Sequence, residues 1–259
     1  MRNEAQAGPL ARSGELEPDD NDVTDPNKAT VPNGALEQPQ VTHAMEDYLK
    51  AIYRLQETAA QVTTQRLAEE LGVTGPSVTN MIKRLHDLRL LRHSRYHGVE
   101  LTDAGIKIAL EVLRHHRLLE LYLAETLGMP WDQVHAEAER LEHHLSDQVE
   151  ERMDSALGHP THDPHGDPIP SREGTIDSVS GVLLIDLEPG RQGIVTRVSD
   201  RDPEQLRYLG GLGLYPGATV SVLERLPFDG PIRIAVNDAE HIIGRPLATA
   251  VHIGVPTET

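Results

Sequence analysis

Six imidazoles and carboxylates crowd one short stretch of this 259-residue chain: His116 and Glu120, then His135, Glu139, Glu142 and His143. Residues three or four apart on a helix share a face, so His135, Glu139, Glu142 and His143 can project together, and His116 and Glu120 repeat the spacing on a helix before it. Two such helices in an antiparallel hairpin would turn all six towards one inter-helix space, which is the geometry of a metal site. The competing reading is a solvated, charged helix face, where His116 and Glu120 form a surface pair contributing roughly a few tenths of a kcal/mol. Imidazole and carboxylate without thiolate suit hard and borderline divalent ions. The same residue types also build hydrolytic metal sites, but the chain has no His-Glu-x-x-His run and no distinct nucleophile, so an enzyme is not expected.

The elements that must position these ligands have to be packed almost entirely with aliphatic residues. Hydrophobic residues make up 38% of the chain, yet Trp131, Phe228 and six tyrosines are its whole aromatic complement. Cysteine is absent, which excludes disulfides and thiolate ligands and fits a reducing compartment. With neither a signal-peptide pattern nor an apolar run long enough to span a bilayer, a cytoplasmic protein without membrane contact is expected. The net charge of −17 opposes indiscriminate binding to polyanions, so any DNA contact needs a local cationic patch.

Residues 1–40 mix Asp, Glu, Asn, Pro and Gly with few clustered apolar residues, predicting a disordered acidic tail. From about His43 the apolar positions Met45, Tyr48, Leu49, Ile52, Tyr53 and Leu55 predict an amphipathic helix with Asp47 inside it. A short helix over Thr63 to Leu71, the turn Gly72-Val73-Thr74, and a second helix over Gly75 to Leu88 make a helix-turn-helix. Two strands flanking Tyr96-His97-Gly98 would add a wing. Ser77, Thr79 and Asn80 are placed to touch bases or phosphates, with Lys83, Arg84, Arg92 and Arg95 on the backbone. Residues 77–98 set Lys83, Arg84, Arg89, Arg92 and Arg95 against Asp87 alone, supplying the local patch that the acidic chain requires.

A long helix from about Asp103 to Gly128 and another from Trp131 to about Leu157 would carry the six ligands. The stretch 159–178 is too rich in Pro and Gly for regular structure, and its histidines are expected to be solvated. After it, short alternating segments at 193–198, 218–223, 232–236 and 250–253 predict a small barrel, with a helical turn at Asp202 to Leu206.

Five segments carry a resemblance to a known family: Met45-Glu46-Asp47-Tyr48-Leu49, Gly75-Pro76-Ser77-Val78-Thr79, His115 to Glu120, Val134 to His143, and Asp163-Pro164-His165-Gly166-Asp167-Pro168-Ile169-Pro170. Over about residues 41–256 the chain resembles the diphtheria-toxin-repressor family of metal-dependent transcriptional regulators, and looks most like its manganese-responsive branch. The resemblance implies a mainly α fold with a small all-β C-terminal domain: a winged helix-turn-helix at 41–108, a helical metal-binding and dimerisation domain at 109–158, and, beyond the connection, an SH3-like barrel at 179–257. It implies a homodimer on palindromic operator DNA, repressing metal-uptake genes.

Carried over by position, the resemblance implies a primary site of Asp47, Glu139, Glu142 and His143, and an ancillary site of His116, Glu120 and His135 with Asp202 and Gln205 from the barrel. Iron-responsive members place Met and Cys where this chain has Asp47 and Glu139. The harder oxygen donors here point to manganese as the cofactor, with iron(II) as the alternative and cobalt or zinc as laboratory substitutes. Lys50 stands where some manganese regulators carry a carboxylate, which favours two separate sites over a closely bridged metal pair.

Overall fold

The computed structural model describes residues 41–58, 61–94, 98–177, 181–237 and 239–254. The expected acidic tail, Arg95 and the turn residues Tyr96 and His97 lie outside the described residues.

The first helix, α1 (His43–Thr58), buries Met45, Tyr48, Leu49, Ile52 and Leu55, the stripe expected of a helix packed on one side. Helix α2 (Thr64–Leu71) starts where the Thr63 hydroxyl accepts the Arg66 amide at 3.2 Å and stops at Gly72, whose φ of +63° closes the turn. Helix α3 (Gly75–Asp87) follows with Pro76 in its first turn and Val78, Ile82 and Leu85 buried. Strands β1 (Leu91–Ser94) and β2 (Gly98–Leu101) pair antiparallel, Leu91 opposite Leu101, and complete the wing. All of these pack around one core that includes Leu49, Ile52, Leu67, Val78, Leu85 and Leu91.

Immediately after the wing, Thr102 caps α4 (Asp103–Glu125), its hydroxyl accepting from the Gly105 amide. At 23 residues this helix is roughly 35 Å long, so it leaves the first core at Ala109 and carries its later turns into a second set of helices. The single helix expected from Trp131 to Leu157 is three pieces instead: α5 (Val134–Leu141), a 3-10 turn (Glu142–His144) and α6 (Asp147–Ala156). Between the last two, Leu145 and Ser146 are extended, with ψ of 124° and 152°. The apolar periodicity was misleading because Leu141 and Val149 are 42% and 48% exposed while Glu142 is fully buried. The break turns a carboxylate inward where a continuous stripe would have turned a leucine.

The Pro- and Gly-rich connection is also not solvated throughout. Asp163, His165 and Asp167 are buried, and one Asp163 carboxylate oxygen accepts the amides of both His165 and Asp167 at 2.9 Å. Gly166, at φ +90°, lies so close to the next domain that a Cβ there would stand 2.0 Å from the Thr196 carbonyl oxygen.

The C-terminal part is an antiparallel six-stranded sheet in the order β3 (Val182–Leu183), β8 (Val251–Gly254), β4 (Gln192–Val198), β5 (Thr219–Arg225), β6 (Ile232–Val236) and β7 (Ala239–Ile243). Helices α7 (Pro203–Gly211) and α8 (Arg245–Thr249) lie in its connections. Bulges at Val195/Arg197 and Val222/Glu224 bend β4 and β5 around a core of Val195, Val220, Val222, Ile234, Val251 and Ile253. Among the described residues no helix is long and apolar enough to cross a membrane.

Gly166→Ala should therefore destabilise the protein by about 2 kcal/mol or more, combining the cost of positive φ with a clash against rigid backbone. Chemical denaturation checks this, and exchange of the His165 amide should rise with it.

Candidate metal centre

Overlapping groups of His and carboxylate side chains converge where α1, α4, α5, the 3-10 turn, the connection and the end of β4 meet. In the first, His143 Nε2 lies 2.7 Å from Asp47 Oδ1 and 3.4 Å from Glu142 Oε1. Its other nitrogen is 2.6 Å from Glu46 Oε2, and its ring stacks on His43 at 4.9 Å. Glu46 thus fixes the ring with Nε2 aimed at Asp47, the arrangement by which a carboxylate orients a ligating histidine. Glu139 joins Glu142 and His116 in an overlapping group, held there by Lys50, whose Nζ is 2.7 Å from Glu139 Oε1 and 2.5 Å from Glu142 Oε1. Burial alone would raise the Glu139 carboxyl, but the charges of Lys50 and His116 outweigh it and hold it below the usual range.

In the second group, His116 and Glu120 sit one turn apart on α4 at 3.0 Å, and His135 of α5 lies 3.1 Å from His116 and 3.0 Å from Glu120. The fourth member is Asp200, 3.2 Å from His135 Nδ1. His116 Nδ1 is 2.6 Å from Glu142 Oε2, so the first two groups touch.

The barrel ligands expected here were Asp202 and Gln205, which the structure places at the cap of α7 and not in the cluster. Asp202 is the N-cap of α7: it accepts the amides of Glu204 and Gln205 at 2.9 and 3.2 Å, and the Gln205 side chain donates back to it at 3.0 Å. An Asp directly before a Pro at the first helical position has its carboxylate committed to the helix, a signal legible in the sequence. Asp200, two residues earlier, is free to face His135.

The third group, Glu120, Asp163 and His165, joins the second through Glu120. Glu120 Oε1 serves His116 and His135, while Oε2 faces His165 Nδ1 across 3.8 Å. Both facing atoms are buried without a hydrogen-bond partner. His165 Nε2 donates to the Trp131 carbonyl at 2.8 Å, which leaves the lone pair of the neutral ring on Nδ1. Two orphaned donor atoms aimed at one buried point, with Asp163 beside them, fit a divalent cation. His165, expected in solvent like the other histidines of the connection, is fully buried in this group.

In the absence of a cation, protons offset the negative charge. Burial opposes a charge on His135, yet hydrogen bonds to Asp200 and Glu120 raise it to about 10; burial likewise opposes His165, which Glu120 raises to about 9. Glu120 and Asp200 are held below the usual carboxylate range by their histidines, against the effect of burial. Asp163 goes the other way, raised by burial and then by the charges of Glu120 and Asp167. A cleft of about 1060 Å³ opens onto Asp47, Lys50, His135, Glu139, Asp163 and Asp200 and gives an ion its route in.

Ser77, Thr79, Asn80, Lys83, Arg84 and Arg92, expected to face DNA, are all exposed on α3 and β1, with Thr79 Oγ1 donating to the Gly75 carbonyl at 3.0 Å.

A winged helix joined to helices that bear buried His and carboxylate clusters defines a metal-responsive DNA-binding regulator, and comparison with known proteins makes the class specific. Residues 40–99 match the N-terminal DNA binding domain of iron dependent repressors, 102–171 their metal binding and dimerisation domain, and 182–254 the FeoA domain. The chain is 34% identical over 227 residues to the iron-dependent repressor IdeR of Mycobacterium tuberculosis, covering 83% of this chain and 98% of the relative. It is 30% identical over 218 residues to the diphtheria toxin repressor of Corynebacterium diphtheriae, covering 80% and 95%. A manganese-dependent transcriptional repressor solved with manganese superposes with a TM-score of 0.77 at 40% identity, over 82% of this chain and 99% of that one. ScaR with bound zinc gives 0.70 at 33%, over 82% and 99%. The chain belongs to the iron-dependent and diphtheria-toxin repressor family: it is a metal-dependent transcriptional repressor and not an enzyme.

Two measurements test the centre. Asp200→Ala should remove one bound metal per chain or weaken it severely, whereas Asp202→Ala should leave stoichiometry intact and cost about 1 kcal/mol through the lost cap; calorimetric titration and denaturation separate them. Because His135 and His165 have raised folded values against about 6.5 unfolded, their stabilisation is fully present below pH 6.5 and is lost as pH rises through 9 and 10. The metal-free protein should accordingly melt lower at pH 10 than at pH 7, and metal binding at pH 7 should release protons, seen as a buffer-dependent binding enthalpy.

Proposed function

We propose that this chain is a manganese-responsive repressor that binds a palindromic operator as a homodimer, with Asp47, Glu139, Glu142 and His143 as one metal site and His116, Glu120, His135 and Asp200 as the second, which Asp163 and His165 adjoin through Glu120. The observation that carries it is the donor chemistry: both groups consist of carboxylate and imidazole only, in a chain with no cysteine. Oxygen-rich sites suit manganese, while copper or zinc would prevail on affinity alone, so selectivity rests on coordination number and geometry. An iron(II) response is the second reading, supported by the iron-dependent repressors among the relatives.

Asp47 stands on α1, in the winged-helix part, whereas Glu142 and His143 stand on the 3-10 turn after α5. When bound, the cation supplies a positive charge that joins these carboxylates across the two parts. The protein's own contribution is to hold Glu142 buried and His143 oriented by Glu46, so that α1 and the α3 that packs with it take one position relative to the dimer. Exposed Ser77, Thr79 and Asn80 then face base edges, with Lys83, Arg84, Arg92 and Arg95 on phosphates. For the second copy, the groove between α4 and α6 is the favoured face: it is lined by Tyr122, Val149, Arg152, Met153 and Ala156, and Val149 is half-exposed.

Fluorescence anisotropy on promoter DNA from the same genome, titrated separately with manganese, iron(II), cobalt and zinc, tests the class of response and the metal together. Manganese should activate binding at physiological concentrations, and His143→Ala or Glu142→Ala should reduce metal-activated affinity by about 100-fold or more while leaving the apo fold intact. Equal activation in His143→Ala would sink the assignment of the first site.

A further inference from the structure

Lys50 lies on α1 one turn after Asp47, with a side chain only 6% exposed. Its ammonium bridges two carboxylates from the other part of the site, 2.7 Å from Glu139 Oε1 and 2.5 Å from Glu142 Oε1. Those oxygens are not spare. Glu142 Oε1 is the atom 3.4 Å from His143 Nε2, and Glu139 Oε1 is the atom 3.7 Å from His116 Nδ1. Lysine offers three donors and no acceptor, so it can satisfy carboxylates but cannot ligate a metal while charged. A buried ammonium needs such partners to offset desolvation, and two anionic oxygens supply them.

We propose that Lys50 is an internal competitor for the metal: its ammonium occupies the Glu139 and Glu142 oxygens in the metal-free repressor and has to leave at least one of them when a divalent cation binds there. The proposal rests on the reading of Asp47, Glu139, Glu142 and His143 as a metal site. An ammonium and a divalent cation sharing one carboxylate oxygen repel each other strongly in a partly dry setting. The flexible stem of Lys50 allows the exchange, and the cleft that Lys50 already lines gives the displaced ammonium a polar space to enter.

Two consequences follow. The bridge prevents Glu139 and Glu142 from repelling one another when no metal is present, keeping α1 joined to α5. It also raises the concentration of metal needed to fill the site, and its positive charge disfavours a second divalent ion beside the first. Lys50 is in this sense a residue that sets the threshold and the count without being a ligand.

The test compares wild type, Lys50→Leu, Lys50→Gln and His143→Ala by calorimetric titration with manganese and by thermal melting of the metal-free proteins. Both neutral Lys50 variants should bind manganese about tenfold or more tightly than wild type, because the competing charge is gone. They should melt at lower temperature without metal, and saturating manganese should close the gap. If Lys50→Leu does not fold without metal, Lys50→Gln, which keeps a hydrogen-bonding chain of similar length, decides alone. Manganese affinity equal to or weaker than wild type in the Lys50 variants overturns the proposal. His143→Ala tells which premise has failed: if it too titrates like wild type, the site reading falls and the proposal with it, whereas loss of the ion in His143→Ala beside unchanged Lys50 variants removes only the role of Lys50.

Discussion

Burying carboxylates without leaving their charge uncompensated is the constraint around which this molecule is organised. Glu120 and Glu142 have no exposed surface, and Glu150, Asp163 and Asp167 have almost none. Four of them have named basic partners, His116 and His135 at Glu120, Lys50 and His116 at Glu142, Arg114 at Glu150, and Arg117 and Arg197 at Asp167, whereas Asp163 is raised by burial and its acidic neighbours. Removing one partner of such a pair costs far more than the pair contributes net, because the remaining charge stays buried. The interior is therefore held in balance by ion pairs.

The same balance explains why the connection between helices and sheet is ordered. Arg117 donates to the Pro168 carbonyl and to Asp167, while Arg197 of β4 reaches Asp167 from the other side. Val198 donates its amide to the His165 carbonyl, so the segment is also tied to the sheet by backbone. A segment with four prolines lies ordered against the buried Glu120 because two arginines and a strand fix it there.

Much of the architecture could be read from residue order, for local reasons. The α1 and α3 stripes, the Gly72 turn and the alternation in β4 to β6 each involve apolar residues whose burial is settled by their own element. Strand β7 was not anticipated because Ala239-Glu240-His241-Ile242-Ile243 buries only its last residue, and its pairing is set by the hairpin from β6. The break at Glu142 escaped notice for the opposite reason: a periodic run predicts a helix, and only tertiary partners in the form of Lys50 and His116 make a buried glutamate preferable to a buried leucine. Of the clustered His and carboxylate side chains, those on α4 and α5 were legible from spacing. Asp200 and His165 were not, since what separates them from Asp202 and His162 is which of two nearby side chains the helix cap or the solvent has already claimed.

Helix α4 runs without interruption from Thr102, directly beneath the wing, to the ligand pair His116 and Glu120. It is a lever. The fourteen residues between Thr102 and His116 span roughly 21 Å, so each degree of tilt about the ligand pair swings the base of the wing by about 0.4 Å. Ten degrees moves it on the order of 4 Å, comparable to the roughly 3.4 Å advance of one nucleotide along a strand. A tilt of the helix at its histidines would therefore be magnified at the wing.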